Sequence, residues 1–228
     1  MALGDYSTGL ARAVHLQTGF GMNGSDCSIH EALRELSFRS PVLQRLIESH
    51  GPYTPRKNRQ IDAFSSLAKT IIHQQLAGKA AASIHRRFQD LFCATVTSEE
   101  VLSMELDTLR SAGLSKAKSL AIKDLARHDQ KGLLHLDELE GLEDDLLVAQ
   151  LCRVRGIGPW TAQMFLIFQL GRLDVWPTGD LAVRRGFGQA FDLPAVPSSR
   201  ELQPRGDAFR PYRSIVAWYC WRVIDSTP

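Results

Sequence analysis

Apolar residues recur every three to four positions along most of the chain, and alternation at every second position is nearly absent. That spacing predicts helices rather than strands. Ser28, with Glu31 at capping-box spacing, opens a short helix. Ser40-Pro41 opens a second, with Val42, Leu43, Leu46 and Ile47 on one face, and Gly51-Pro52-Tyr53-Thr54-Pro55 ends it. From Asp62 the residues Phe64, Leu67, Ala68, Ile71 and Ile72 repeat at helical spacing. Gln74 to Gly78 interrupts the pattern and Lys79 to Phe92 resumes it. Thr97-Ser98-Glu99-Glu100 is a capped start, and Ala112-Gly113-Leu114-Ser115 is a stop and restart. Leu146 to Val154 predicts a helix ending at Gly156-Ile157-Gly158, and Pro159 starts the next, which Gly171 ends. Asp174 to Gly179 reads as a loop, Asp180 to Phe191 as a helix, Pro194 to Pro211 as a turn-rich link, and Tyr212 to Ile224 as a final amphipathic helix. Roughly ten helices and an all-α fold are expected.

Composition narrows the function classes. Hydrophobic residues make up 44% of the 228, which supports a sizeable core and excludes wholesale disorder. Lys plus Arg is 27 against 25 Asp plus Glu, a formal net charge of +2. That excludes a polybasic tail protein but not nucleic acid, since a local basic face is enough to hold phosphate. Residues 132–150 hold six acids and no Lys or Arg, which reads as a solvated outer helix face turned away from any polyanion. Cys27, Cys93, Cys152 and Cys220 lie far apart without a C-x-x-C pair, so neither a metal site nor a disulfide framework is expected, and no cofactor is called for. The start lacks the pattern of a signal peptide, and no apolar stretch is long enough to span a bilayer, so no membrane partner is expected. A cytoplasmic or nuclear protein is the default.

The segment Leu151 to Met164 carries the most chemistry. Two glycines flank the apolar Ile157 between two predicted helices, a tight turn that glycine tolerates, and Ile157 can plug between the helices. Backbone N–H groups at the start of the second helix then form an anion site that suits a nucleic-acid phosphate, flanked by Arg153 and Arg155. The plain alternative is an ordinary helical corner.

The residues Val154-Arg-Gly-Ile-Gly-Pro-Trp-Thr-Ala162, followed by Asp174-Val-Trp-Pro-Thr-Gly-Asp180-Leu-Ala-Val-Arg, resemble the helix-hairpin-helix, Gly/Pro-rich loop and aspartate signature of the base-excision DNA glycosylases. The chain is most similar to the alkylation-repair branch, the 3-methyladenine DNA glycosylases. The likeness extends to Ile72–Ala81, Leu109–Lys118 and Arg210–Trp221, so it covers about residues 60 to 224. It implies two helical lobes with the hairpin at their cleft. One lobe is 62–172, ending in the hairpin helices at 151–170; the other joins 28–61 to 173–228, and 1–27 is an irregular N-terminal segment.

The resemblance also implies roles. Asp180 matches the catalytic aspartate, whose charge stabilises the sugar cation that develops as the base leaves; the alternative is a helix cap. Trp160 stands where backbone-cutting relatives carry a Schiff-base lysine, which implies a monofunctional enzyme. Trp160 and Trp221 match aromatics of the base pocket, whose π faces attract a cationic methylated base; the alternative is core packing. Met164 and Leu181 are further pocket positions, where some relatives have tyrosine. Leu76 matches the wedge that fills the gap left by a flipped base, with Gln75 beside it; the alternative is a buried leucine at a helix junction. Gly156, Ile157, Gly158, Thr161 and Lys79 complete the implied DNA contacts, and Lys116, Lys118, Arg184 and Arg185 are candidates for the phosphate backbone. The expected partner is duplex DNA containing alkylated bases, bound by a monomer, in the nucleoid of a bacterium or the nucleus of a eukaryote. Other readings are a non-catalytic module for damaged or abasic DNA, a glycosylase for deaminated bases, and a structural helical bundle; the last gives no reason for Gly156, Gly158, Trp160 and Asp180 at these spacings.

Overall fold

The computed structural model describes residues 24–54, 62–76, 78–134 and 142–225, and among these it contains helices and no strand. Of the irregular start expected over 1–27, residues 1–23 lie outside the described residues while 24–27 are helical; 55–61 and part of the acidic stretch, 135–141, also lie outside them. The elements are α1 (Gly24–Arg39), α2 (Pro41–His50), α3 (Ala63–His73), α4 (Gly78–Gln89), α5 (Ser98–Ser103), α6 (Leu106–Ser111), α7 (Lys116–Gln130), α8 (Asp144–Leu151), α9 (Pro159–Phe165), α10 (Leu181–Ala190), α11 (Ser199–Arg205) and α12 (Arg213–Asp225). A π-helical turn at Leu166–Leu170 continues α9.

Polar side-chain caps open six of the twelve helices among the described residues. Ser40, Asp62, Thr97, Ser115, Asp180 and Ser198 each accept a backbone N–H of the first turn through the side chain. Such caps satisfy donors that a helix start leaves without a partner.

Several elements differ from expectation. The first helix begins at Gly24, so Ser28 lies inside it rather than at its cap. The helix before the hairpin starts at Asp144 and stops at Leu151, because Val154 N–H turns back to Leu151 O ahead of Gly156. The link at 194–211 contains α11, started by a reciprocal capping box between Ser198 and Glu201. The last helix is not amphipathic: Ser214 to Ala217, Tyr219, Cys220 and Val223 are all buried, because α12 runs through a core.

Two apolar cores result. One is built from α3 to α9 around Leu67, Ile71, Phe88, Ile122, Leu147 and Phe165. The other is built from α1, α2 and α10 to α12 around Leu36, Leu43, Phe187, Ile215 and Tyr219. The chain passes from the first to the second between Val175 and Trp176, and Trp221 packs against both. The acidic stretch is not purely solvated: Asp144 is half-buried, and Arg172 Nε lies 3.4 Å from its Oδ1.

Candidate active site

The loop that carries Asp180 is fastened before it reaches that residue. Asp174 accepts Arg213 Nε at 2.8 Å and Arg210 Nη1 at 2.8 Å, and its carbonyl accepts Arg213 Nη2 at 2.7 Å. Val175 N–H donates to Ser214 Oγ at 2.9 Å, and the Trp176 indole donates to Leu202 O at 3.1 Å. Thr178 Oγ1 meets Ser199 Oγ at 2.8 Å. With both backbone and side chains held, the position of the next residues follows from the packing of α11 and α12.

Asp180 is half-buried and receives three N–H groups. Val183 N–H donates to Oδ1 at 2.9 Å, which makes Asp180 the cap of α10. Trp221 Nε1 donates to the same oxygen at 3.3 Å, and Trp160 Nε1 donates to Oδ2 at 2.7 Å. The cap and a site carboxylate are therefore one geometry rather than rivals. An ionised carboxylate offers about four acceptor directions, so these three donors do not exhaust it.

Trp160 is 47% exposed, so it is not a core residue. Trp221 is half-buried, and its ring lies against Phe168 with centroids 5.5 Å apart. Beside Trp160 opens a cleft of about 790 Å³, walled by Met164, Phe168 and Gln169 on one side and by Lys69, His73 and Gln75 on the other. Met164 is half-buried there, and Leu181 is 47% exposed next to the carboxylate. Phe168 also borders a smaller cavity of about 260 Å³, with Tyr53, Trp218 and Trp221. Sequence pattern did not single out Phe168 or Trp218; their helical spacing alone marks them as core.

The hairpin uses its two glycines differently. Gly156 has φ of 81°, and a Cβ there would stand 3.1 Å from Ala121 Cβ. Gly158 is extended, with φ −97° and ψ 173°, and a Cβ there would meet nothing within 4 Å. The turn geometry thus demands glycine only at 156. Gly158 leaves open space at the start of α9, where Gly158, Trp160 and Thr161 carry N–H groups that no earlier turn can receive. Ile157 is buried between the helices, and Arg153 and Arg155 are exposed.

Other predicted residues separate into exposed and committed groups. Leu76 is 37% exposed, so the buried-junction alternative does not hold. Gln75 beside it is exposed with φ of 55°, and Lys79, Lys116 and Arg185 are exposed. Thr161, expected among the DNA contacts, has a buried side chain whose hydroxyl accepts Gln74 Nε2 at 3.3 Å, so that hydroxyl is turned into the fold. Lys118 is not free for a phosphate: its ammonium donates to Ile72 O at 2.8 Å and Gln74 O at 2.7 Å. Burial lowers its pKa. Arg184 Nη1 donates to Pro197 O at 3.3 Å. His73 is held below the usual histidine range by burial and by the charges of Lys69 and Lys118. Among the described residues no three His, Cys, Asp or Glu side chains come together as metal ligands, and no helix is long and apolar enough to cross a membrane.

Residues 68–209 match the model of the HhH-GPD superfamily base excision DNA repair protein. The chain is 32% identical over 200 residues to DNA-3-methyladenine glycosylase 1 of Schizosaccharomyces pombe, covering 86% of this chain and 88% of that protein. A solved structure of S. pombe 3-methyladenine DNA glycosylase in complex with abasic DNA superposes with a TM-score of 0.72 at 32% identity, over 84% of this chain and 95% of that one. The crystal structure of a DNA-3-methyladenine glycosidase from Bacillus halodurans gives a TM-score of 0.79 at 31% identity, over 86% and 89%.

Proposed function

The chain belongs to the HhH-GPD superfamily of base excision DNA repair proteins, and from that premise we propose that it hydrolyses the N-glycosidic bond of alkylated purines in duplex DNA, with Asp180 as the catalytic carboxylate. The supporting observation is the carboxylate itself, half-buried and aimed by three N–H groups between two indoles. An alkylated purine of the 3-methyladenine type already carries positive charge and leaves readily. As the C1′–N bond lengthens, positive charge grows on the deoxyribose. A carboxylate already fixed in place stabilises that charge without reorganising. The same group accepts a hydrogen bond from the water that attacks C1′ and orients it. The products are the free base and an abasic site.

The hairpin holds the strand through the N–H groups that open α9 and the bare surface at Gly158, which reads no sequence. Leu76, exposed at the α3–α4 junction, fills the gap that the flipped nucleotide leaves. The indole faces of Trp160 and Trp221 favour a cationic base over a neutral one. Trp160 carries no amine, so no Schiff base forms at that position and the backbone is left uncut. The enzyme acts as a monomer on DNA containing alkylated bases.

The decisive experiment is single-turnover base release from methylated duplex by Asp180→Asn. The oxygen of asparagine keeps the α10 cap while the charge is lost. Base release falls by about 10²–10³-fold, the scale of removing one preorganised electrostatic group, while binding to an abasic-site duplex persists. An unchanged release rate refutes the assignment.

A further inference from the structure

One face of α7 underlies both loops that this reading places against DNA. Lys118, Ala121 and Asp124 follow at intervals of three, which puts them on one side of the helix. Lys118 Nζ binds the carbonyls of Ile72 and Gln74 at the end of α3. Ala121 Cβ is the atom that a side chain at Gly156 would meet first. Asp124 Oδ2 accepts Arg155 N–H at 2.9 Å. Gln74 then closes the gap between the two loops: its amide donates to Gly156 O at 2.9 Å and to Thr161 Oγ1 at 3.3 Å. The next two residues are Gln75, in the left-handed region at φ 55°, and the exposed Leu76.

We infer that Gln74, braced by Lys118, is a positioning residue that locks the Leu76 loop to the hairpin, so that gripping the strand and wedging the duplex act as one rigid step. The inference rests on the proposed function, since it needs the hairpin to hold phosphate and Leu76 to enter the stack. Its physical content is that the two loops belong to segments more than 80 residues apart, Gln74 and Gly156 being separated by 82. Without the cross-link, each loop is held only through its own contacts with α7, and the spacing of the two loop tips is set less tightly. A drift of about 1 Å in a group that must enter a stacked helix costs on the order of 10²-fold in rate. Neither glutamine hydrogen bond touches Asp180 or the two indoles.

The test uses Gln74→Leu, which keeps the side-chain volume and removes both bonds, with Thr161→Val as the milder variant that removes one acceptor. The readouts are base release under single turnover and the fluorescence of 2-aminopurine placed beside the lesion, which rises on unstacking. For Gln74→Leu, release from a fully paired methylated duplex falls about 10- to 100-fold, and the fluorescence rise shrinks in parallel. Thr161→Val shows a smaller loss. When the lesion is mispaired, unstacking is already cheap, and the Gln74→Leu defect closes to within about threefold of wild type. Affinity for undamaged duplex, set by the hairpin, stays the same. An equal loss on paired and mispaired substrate marks a merely structural glutamine and overturns the inference, as does no loss at all. Should wild-type protein unstack the duplex but release no base, the proposed function fails instead, and the fluorescence arm still decides the role of Gln74.

Discussion

Gly186 lies where α10 crosses α12, and a Cβ built on it would stand 2.0 Å from the carbonyl oxygen of Cys220. That neighbour is backbone, so no rotamer change relieves the clash. Gly186→Ala must therefore move the helices apart, from 2.0 Å to the 3.4 Å of an ordinary contact, an opening of about 1.4 Å at this point. Overpacking of this kind costs about 1–3 kcal/mol, and with backbone on the far side the upper end applies. For a chain of this size each kcal/mol lowers Tm by about 2–4 °C, which gives a loss of about 6–12 °C. The same opening has a chemical consequence. Asp180 caps α10, and Trp221 follows Cys220 on α12, so the 3.3 Å contact between them lengthens beyond hydrogen-bond range. Misplacing the carboxylate by about 1 Å lowers base release on the order of 10²-fold. Calorimetry gives the first quantity, and single-turnover release from methylated duplex, scaled to folded protein at 20 °C, gives the second. Full activity per folded molecule alongside the lowered Tm refutes the claim that the α10–α12 contact sets the geometry of Asp180. An unchanged Tm refutes the contact itself.

Three further predictions follow from single groups. Gly156→Ala forces an alanine into the left-handed region, costing about 1–2 kcal/mol, whereas Gly158→Ala leaves stability within about 0.5 kcal/mol of wild type and weakens DNA binding by occupying the bare surface; paired melting and binding measurements separate the two. Trp160→Phe keeps an aromatic ring and loses the 2.7 Å bond to Asp180 Oδ2; with Trp160 half exposed the loss is about 1 kcal/mol, or roughly fivefold in release. His73 and His85 are both held below the ordinary value of about 6.5. The unfolded chain therefore binds more protons than the native state as pH falls through that value, so stability drops on acidification from pH 7 to 5.5, and the double variant His73→Gln/His85→Gln flattens the Tm–pH profile over that range.

The parts of this protein that were legible in the sequence are those with local causes. The turn at 156–158 is punctuated by glycine and proline, and the caps at Ser40, Asp62, Thr97 and Ser115 act within three residues of themselves. Helix α11 was hidden although its capping box is local, because Pro194, Pro197 and Pro204 read as breakers; Pro204 is tolerated inside the helix. The burial of helix α12 escapes its sequence for a different reason. Its period fits one apolar face, but α10 and α2 cover it on more than one side, a fact that belongs to tertiary packing. Gln74 lies within the Ile72–Ala81 likeness, but nothing local marks its bonds to the hairpin, since those partners lie 82 and 87 residues away.

Asp180 shows why a local reading of a site residue stops short. Its capping of α10 follows from position and residue type, and the two indole N–H groups come from residues 20 and 41 positions along the chain. These contacts divide the carboxylate unequally. Oδ1 receives both Val183 N–H and Trp221 Nε1, while among the described residues Oδ2 receives only Trp160 Nε1. Capacity to accept one more hydrogen bond, or to face a developing cation, therefore rests with Oδ2. Oδ1 acts as the anchor, and its two donors stop the group from rotating to exchange the oxygens. On the proposed function, the helix start that made a structural cap the simpler reading is thus also the device that leaves the other oxygen to face the reacting sugar.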